Sequence, residues 1–512
     1  MQMFNHISSK MKTLSEIRQS YHKTRGEDRV VFMFIAIFTV AVLLVTSFNS
    51  YLFKPWIHYD VTWFYTCGKA WFNGMTPYVD FSDSKGPLLW FFNGIGYLIS
   101  PRTYHGLYWV ECVLYTIILY MCYRCAKLFV DNRWVALGAV VICAIFFFGS
   151  FTHIEVRAED YCYAFMLPVF YRFLHNHTGD KELTTASVRT DSIILGVSLA
   201  GTLMIKYSCT LMMVAFIPYF LFWLPRKVNF GISKAIGWCA LASVLTLLPM
   251  AIVLTCQGCL DDCVNEYFFA TFKTFNNLST TQLTMSNLLG VLLSPSVLTF
   301  VLVIIAGILL YGKKSRNGSL YLLCASLWFI VVILLNGIGR IYYNPLALFS
   351  VCSAPLLSQQ LSKLFSKPLV LGAFALATIA FLFWQTPRHS LFYKQDVKQD
   401  AWNYYANLMS QYDSPRMLYL FSHDHSQGVP SHGLPACKYW SLQVGYTQEM
   451  LDDQINAVKQ RKADVILVDD ADTAYVNLAV QCGYHQYDYT DAGIGDKKWG
   501  RRLLFSKKVL KP

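Results

Sequence analysis

A succession of long apolar runs, broken by short polar loops, constrains this chain more than any other feature. The runs cover 30–48, 106–123, 134–151, 160–175, 191–205, 209–224, 233–255, 287–311, 319–336, 341–360 and 368–385. A helix needs about 20 mostly apolar residues to cross a bilayer. Counted with their edges, eleven runs qualify, and the fold class they predict is a polytopic α-helical membrane protein. Charge agrees: 14% of residues are charged, against roughly a quarter in soluble domains. The formal charge of +12 is no sign of nucleic acid. Lysine and arginine gather in the short loops between runs, as the positive-inside rule requires.

Loop charge also sets the topology. The apolar piece 87–100 is too short to cross and is followed by Pro101, so it reads as a juxtamembrane or re-entrant helix. The loops holding Arg124, Lys127 and Arg133, then Arg172, Lys181 and Arg189, then Arg226 and Lys227, then Lys313, Lys314 and Arg316, then Lys363 and Lys367, all fall on the cytoplasmic side. Residues 1–29, with six lysines and arginines from Lys10 to Arg29, read as a cytoplasmic amphipathic segment rather than a cleaved signal peptide. An odd number of spans then puts the C-terminus outside. The outer face receives 49–86, 152–159, 257–286 and the tip 337–340.

After Trp384 the composition turns polar, and residues 386–512 read as a small extracytoplasmic α/β domain. Leu418–Phe421, Val465–Val468 and Leu503–Phe505 have strand character, and 397–411, 447–461 and 472–482 have helical periodicity. No strand is followed by a glycine-rich phosphate loop, so a nucleotide-binding fold is not indicated. Cys437 and Cys482 are candidates for a disulfide in an outer domain. Cys256, Cys259 and Cys263 lack the partners a zinc site needs. His423, His425 and His432 look like a metal cluster but lack a fourth ligand at defined spacing.

The chemistry-bearing residues gather on the outer face. Asp60, Asp80, Asp83 and Lys85 stand among aromatic rings at the lip of the membrane. Gly86-Pro87 forces a turn and starts a helix, whose positive end lies beside Lys85. That makes a cradle for a phosphate next to a carboxylate; helix capping by Asp83 or Ser84 is the plainer alternative. The second outer segment holds His153, Glu155, Arg157, Glu159 and Asp160. Adjacent acids raise one another's pKa, which suits a general base, and they also suit a helix N-terminus. Lys206 closes the outer end of 191–205, and Arg340 precedes Tyr342 and Tyr343. Lys85, Lys206 and Arg340 together could neutralise a phosphate. Asp261, Asp262, Glu266 and Lys273 are weaker candidates.

These residues, in this order, resemble the C-type (GT-C) membrane glycosyltransferases that use polyprenyl-phosphate sugars, in particular the protein O-mannosyltransferase-like and lipid A aminoarabinose transferase-like bacterial families. The likeness rests on Tyr59-Asp60, on Asp80-Phe-Ser-Asp83-Ser-Lys85-Gly86-Pro87, on Ala158-Glu159-Asp160-Tyr161, on Met204-Ile-Lys206, and more loosely on Arg340-Ile-Tyr342-Tyr343-Asn344-Pro345. A serine separates Asp83 from Lys85, where relatives place acid and lysine side by side, which leaves open whether Asp80 or Asp83 is the matching acid. The resemblance implies an integral enzyme of the bacterial inner membrane and an inverting transfer to a lipid, glycan or protein acceptor. Lys85, Lys206 and Arg340 would meet the carrier's phosphate, with Arg157, Asp80, Tyr342 and Tyr343 lining the substrate. Asp60 would be the base, with Asp83 beside it. Glu159 or Asp160 would orient the acceptor or hold a divalent cation. The main rivals are a transporter or lipid flippase, which would carry its charges near the midplane of the spans, and an O-antigen ligase or polymerase.

Overall fold

The first apolar run is the end of a longer helix. The computed structural model describes residues 14–52, 59–149, 157–178, 183–270, 290, 293–336, 340–385, 407–420, 432–442, 447–469, 473–487 and 501–507. In it α1 runs unbroken over Leu14–Thr46. Residues 14–29, expected as a separate segment, are therefore continuous with the first span; they contain no proline that would interrupt the ladder.

The helices that follow are α2 (Tyr59–Phe72), α3 (Pro87–Ile99), α4 (His105–Ala126), α5 (Arg133–Phe148), α6 (Ala158–Thr178), α7 (Thr185–Leu203), α8 (Tyr207–Lys227, with 3-10 and π turns inside it), α9 (Ile232–Cys256), α10 (Pro295–Tyr311), α11 (Arg316–Asn336), α12 (Ser350–Gln360) and α13 (Pro368–Gln385). Local chemistry sets their starts. Asn132 accepts hydrogen bonds from the backbone N–H groups of Trp134 and Val135 and opens α5. Thr184 and Ser187 form a reciprocal capping box at α7. Pro87, with its fixed φ, begins α3.

Among the described residues, six helices are long and apolar enough to cross a membrane: α1, α4, α8, α9, α11 and α13. The other expected spans fall short or carry charge. Helix α5 has 16 residues, and α6 and α7 bear Glu159, Asp160, Arg172, Arg189 and Asp191. Arg172 and Asn176 of α6 bind Asp191 of α7, so these charges are paired between helices rather than left to lipid. The run 341–360 is not one α-helix: Pro345 sits in a 3-10 helix, Arg340–Phe349, that leads into α12. Helix α3 has 13 residues, about 20 Å at 1.5 Å per residue, which is short of a ~30 Å hydrocarbon core.

The C-terminal part contains a five-stranded sheet in the order β2-β1-β3-β5-β4, with β1 at Arg416–Leu420, β2 at Leu434–Pro435, β3 at Val465–Asp469, β4 at His485–Tyr487 and β5 at Arg501–Phe505. Strand β1 runs parallel to β2 and β3, whereas β5 is antiparallel to β3 and β4. Val465, Ile466, Leu467 and Val468 are all buried, as an unbroken aliphatic run in a central strand should be. Helix α14 (Gln448–Lys459) buries Leu451, Gln454 and Val458, a one-face spacing. Helix α15 covers Thr473–Gln481.

The sheet unit sits on the same end of the helical body as loop 73–86. Trp440 meets Trp63 of α2 edge-on at 5.7 Å, the Ser82 N–H donates to the Lys438 carbonyl at 2.9 Å, and Arg102 donates to His432 at 3.0 Å. His432 is thus a hydrogen-bond partner of an arginine, while His423 and His425 lie outside the described residues. Cys437 and Cys482 are free thiols, so the expected disulfide is not formed.

Candidate active site

A turn and two backbone hydrogen bonds build the centre of the site. Tyr78 takes a left-handed φ of 62° and its N–H donates to the Phe81 carbonyl at 2.8 Å. Its hydroxyl then donates to the Lys85 carbonyl at 2.9 Å, and its ring lies 4.6 Å from that of Trp90. Next, the Gly86 N–H donates to the Ile205 carbonyl at 3.0 Å and the Leu88 N–H to the Met204 carbonyl at 3.1 Å. A Cβ on Gly86 would stand 2.1 Å from the Met204 oxygen, so only glycine permits this approach. The joint fastens Asp83-Ser-Lys85 to Met204-Ile-Lys206, two motifs far apart in sequence.

Charges cluster around the joint. Asp83 is buried and accepts from the Ser84 N–H at 2.6 Å. Burial lifts its carboxyl above the ordinary range; Lys85 opposes the shift and the Asp60 charge adds to it. Asp60 itself is exposed, in the first turn of α2. Lys85 donates to the Ser84 hydroxyl at 2.9 Å and stands 5.7 Å from the Phe64 ring. Lys206 forms an ion pair with Glu159 and lies 5.5 Å over the Tyr342 ring. Burial works against the Lys206 ammonium, but Glu159 and Tyr342 outweigh it and raise its pKa. Arg157 is buried, and among the described residues its Nη1 has no hydrogen-bond partner. Tyr207 lies within electrostatic reach of Lys85, Lys206 and Tyr342.

Asp60, Asp83, Lys85, Arg157, Glu159, Lys206 and Tyr342 therefore come together. Asp160 is buried next to them, where its carboxylate accepts from the Arg157 backbone N–H at 2.8 Å and caps α6. Asp80 does not join them: it is exposed and closes its own turn by accepting from the Thr76 N–H at 2.7 Å. The acid beside Lys85 is Asp83. Tyr343 is core, 1% exposed. The Arg340 side chain, His153, Glu155 and Lys273 lie outside what is described. Among the described residues no group of three or more His, Cys, Asp or Glu side chains is placed to hold a metal ion.

Several residues escaped the sequence reading. Glu111 of α4 is fully buried and accepts from Asn49 at 2.7 Å; a lone acid inside an apolar run was the available signal. Tyr207 gave none. Glu266, a weaker candidate, binds Lys438 at 2.7 Å, Tyr439 at 2.9 Å and Ser82 at 3.3 Å, and so ties the sheet unit to the loop before Asp83. Beside the joint, an apolar cavity of about 450 Å³ is lined by Trp71, Phe91, Leu88, Met204, Met250 and Val253. Leu88 and Met204 belong to both the cavity and the joint.

No family model matches the sequence, and no curated protein does either. Solved structures do. ArnT from Cupriavidus metallidurans, in a crystal structure bound to undecaprenyl phosphate, superposes with a TM-score of 0.58 at 11% identity, over 93% of this chain and 98% of that one. The archaeal oligosaccharyltransferase AglB from Archaeoglobus fulgidus, in complex with an inhibitory peptide and a dolichol-phosphate, gives a TM-score of 0.47 at 12% identity, over 96% and 74%. The ArnT match runs nearly end to end on both chains, and the chain has the fold of the C-type membrane glycosyltransferases that its motifs resemble.

Proposed function

We propose that this protein transfers a sugar from a polyprenyl-phosphate carrier to an acceptor hydroxyl at the outer face of the membrane, with inversion at the anomeric carbon. One observation carries the reading: the Gly86–Ile205 joint fastens the segments of Lys85 and Lys206 together beside an apolar cavity that Leu88 and Met204 line, near a buried Arg157 whose Nη1 has no hydrogen-bond partner among the described residues. An isoprenoid tail suits the cavity, and its phosphate suits the cations. A buried donor without a partner costs about 1–3 kcal/mol, which an incoming anion would recover. ArnT was solved with a carrier phosphate of this class bound.

In this mechanism Lys85, Lys206 and Arg157 neutralise the leaving phosphate as the glycosidic bond breaks. Glu159 keeps Lys206 protonated and pointed at the site. Asp60, exposed at the mouth, takes the proton of the acceptor hydroxyl as its oxygen attacks the sugar. Asp83, its carboxyl lifted above the ordinary range by burial, holds Lys85 through Ser84. General-base help is worth typically 10²–10⁴-fold, and fixed charges aimed at the leaving group contribute comparably. The C-terminal sheet unit, packed on loop 73–86, lies on the same outer side.

The test is Asp60→Asn in the full chain, assayed with a purified polyprenyl-phosphate sugar. We expect transfer to be lost while membrane insertion and melting midpoint stay as in the wild type. Normal transfer by this variant would sink the assignment.

A further inference from the structure

A short π-helix, Val264–Ala270, lies in the outer segment after α9. π-Helical turns are rare and often mark functional sites. Two adjacent residues on this one hold different parts of the molecule. Glu266 holds the loop before Asp83 and the sheet unit: its Oε2 accepts from the Ser82 hydroxyl at 3.3 Å, and its Oε1 meets the Lys438 ammonium at 2.7 Å and the Tyr439 hydroxyl at 2.9 Å. Tyr267 is 1% exposed, and its hydroxyl donates to the Leu203 carbonyl at 2.7 Å. Leu203 is the last residue of α7, and Met204 follows it.

The joint has two halves, and this pair grips both. Gly86 and Leu88 donate from the half that carries Lys85; Ile205 and Met204 accept from the half that carries Lys206. Ser82 lies four residues before Gly86, and Leu203 one before Met204. The Cα atoms of Glu266 and Tyr267 are joined by one peptide unit and so stand about 3.8 Å apart. The two residues therefore form a short cross-brace between the halves. The sheet unit holds its other end. The Ser82 N–H donates to the Lys438 carbonyl at 2.9 Å, the Tyr439 N–H donates to Asp453 at 3.0 Å, and Gln454 donates to the Tyr439 carbonyl at 2.7 Å, so Lys438 and Tyr439 are themselves fixed. The Glu266–Lys438 pair is partly buried, which limits screening by salt and makes it stronger than an exposed pair.

We propose that Glu266 and Tyr267 are positioning residues: they brace the joint that carries Lys85 and Lys206, and the sheet unit locks the brace through Lys438 and Tyr439. The proposal rests on the transferase reading for what the braced site does. The first measurement needs no substrate. It is amide hydrogen exchange in the purified full-length protein, where the Gly86 and Leu88 N–H groups report on the joint and residues 465–468 on the sheet. Glu266→Ala and Tyr267→Phe should each speed exchange at Gly86 and Leu88 about tenfold, the effect of losing one strong hydrogen bond, and leave 465–468 as in the wild type. Glu266→Gln keeps an oxygen for the Tyr439 hydroxyl and should fall between. Tyr484→Phe is the structural control: it removes a hydroxyl that donates to the Ala463 carbonyl at 2.9 Å inside the sheet unit, and should lower the melting midpoint without changing exchange at the joint. The second measurement is transfer from an undecaprenyl-phosphate sugar at saturating donor. Glu266→Ala and Tyr267→Phe should lower kcat about tenfold or more, as misplaced charges do, whereas Tyr484→Phe should change neither kcat nor KM. Wild-type exchange at Gly86 and Leu88 in both brace variants overturns the proposal, and so does wild-type kcat in both. A wild-type protein that transfers no sugar removes the transferase reading instead, and exchange then decides the brace by itself.

Discussion

Gly86→Ala tests the joint on which the site depends. The new Cβ would meet the Met204 carbonyl oxygen at 2.1 Å and its carbon at 2.3 Å, and both are backbone atoms that cannot rotate away. Ordinary contact begins at 3.4 Å, so the start of α3 must retreat by more than 1 Å. That stretches both backbone bonds, at 3.0 and 3.1 Å, out of range. Two hydrogen bonds at about 1 kcal/mol each and overpacking at about 1–3 kcal/mol give a destabilisation of roughly 3–5 kcal/mol. Lys85, next to the joint, moves with it and leaves Lys206. A displacement of about 1 Å in a positioned group costs on the order of 10²-fold in rate. The assay is transfer from an undecaprenyl-phosphate sugar at saturating acceptor, with the melting midpoint measured alongside. Gly237→Ala is the control, because a Cβ there meets nothing within 4 Å. We expect Gly86→Ala to lower both rate and midpoint and Gly237→Ala to lower neither. If Gly86→Ala matched the wild type in both, the joint would have no part in holding the site.

Other outcomes follow from the same geometry. Lys206→Met leaves Glu159 buried without its ion-pair partner, a loss of about 3–5 kcal/mol, and should raise the donor KM; the melting midpoint should recover partly in Lys206→Met with Glu159→Gln, and no recovery would mean that the pair is not what the lysine stabilises. Asp83 has a raised pKa in the fold, so its protonated form is favoured there: its contribution to stability is full below the unfolded-state pKa and is lost as pH rises through the folded one. Transfer, which uses the ionised form to hold Lys85, should conversely fall as pH drops through that raised value, so the acid limb should lie above the ordinary carboxylate range. Asp83→Asn should remove that limb from the pH profile of any residual rate, and a limb that persisted unchanged would assign it to another group. A reporter fused after Trp384 should register the outer side, and a cytoplasmic signal would overturn the parity derived from loop charge.

How much of this was legible beforehand varies element by element. The strand at 465–468 could be read because four aliphatics in a row between polar residues fit a buried strand, and the helix at 447–461 because its apolar spacing shows one face. The spans were less legible. Hydropathy counts residues and does not see Arg172 and Asn176 binding Asp191 across two helices, nor Pro345 turning a run into a 3-10 segment. Asp80 and Asp83 looked alike in sequence. Burial and a neighbouring lysine separate them, and both depend on where the turn folds.

By itself, the sequence determined that the chain belongs in a membrane, and its loop charge carries the expectation of which loops face the cytoplasm. These follow from transfer free energies and charge, which are properties of local stretches. Only the tertiary structure decided that the segment of Lys85 is fastened to that of Lys206, that Glu159 holds Lys206 while Asp160 caps a helix, and that Glu266 ties the sheet unit to the loop. Those facts rest on contacts between segments far apart in the chain. A hydrogen bond or an ion pair forms only when packing brings both partners within about 3–4 Å, and no local pattern encodes that distance.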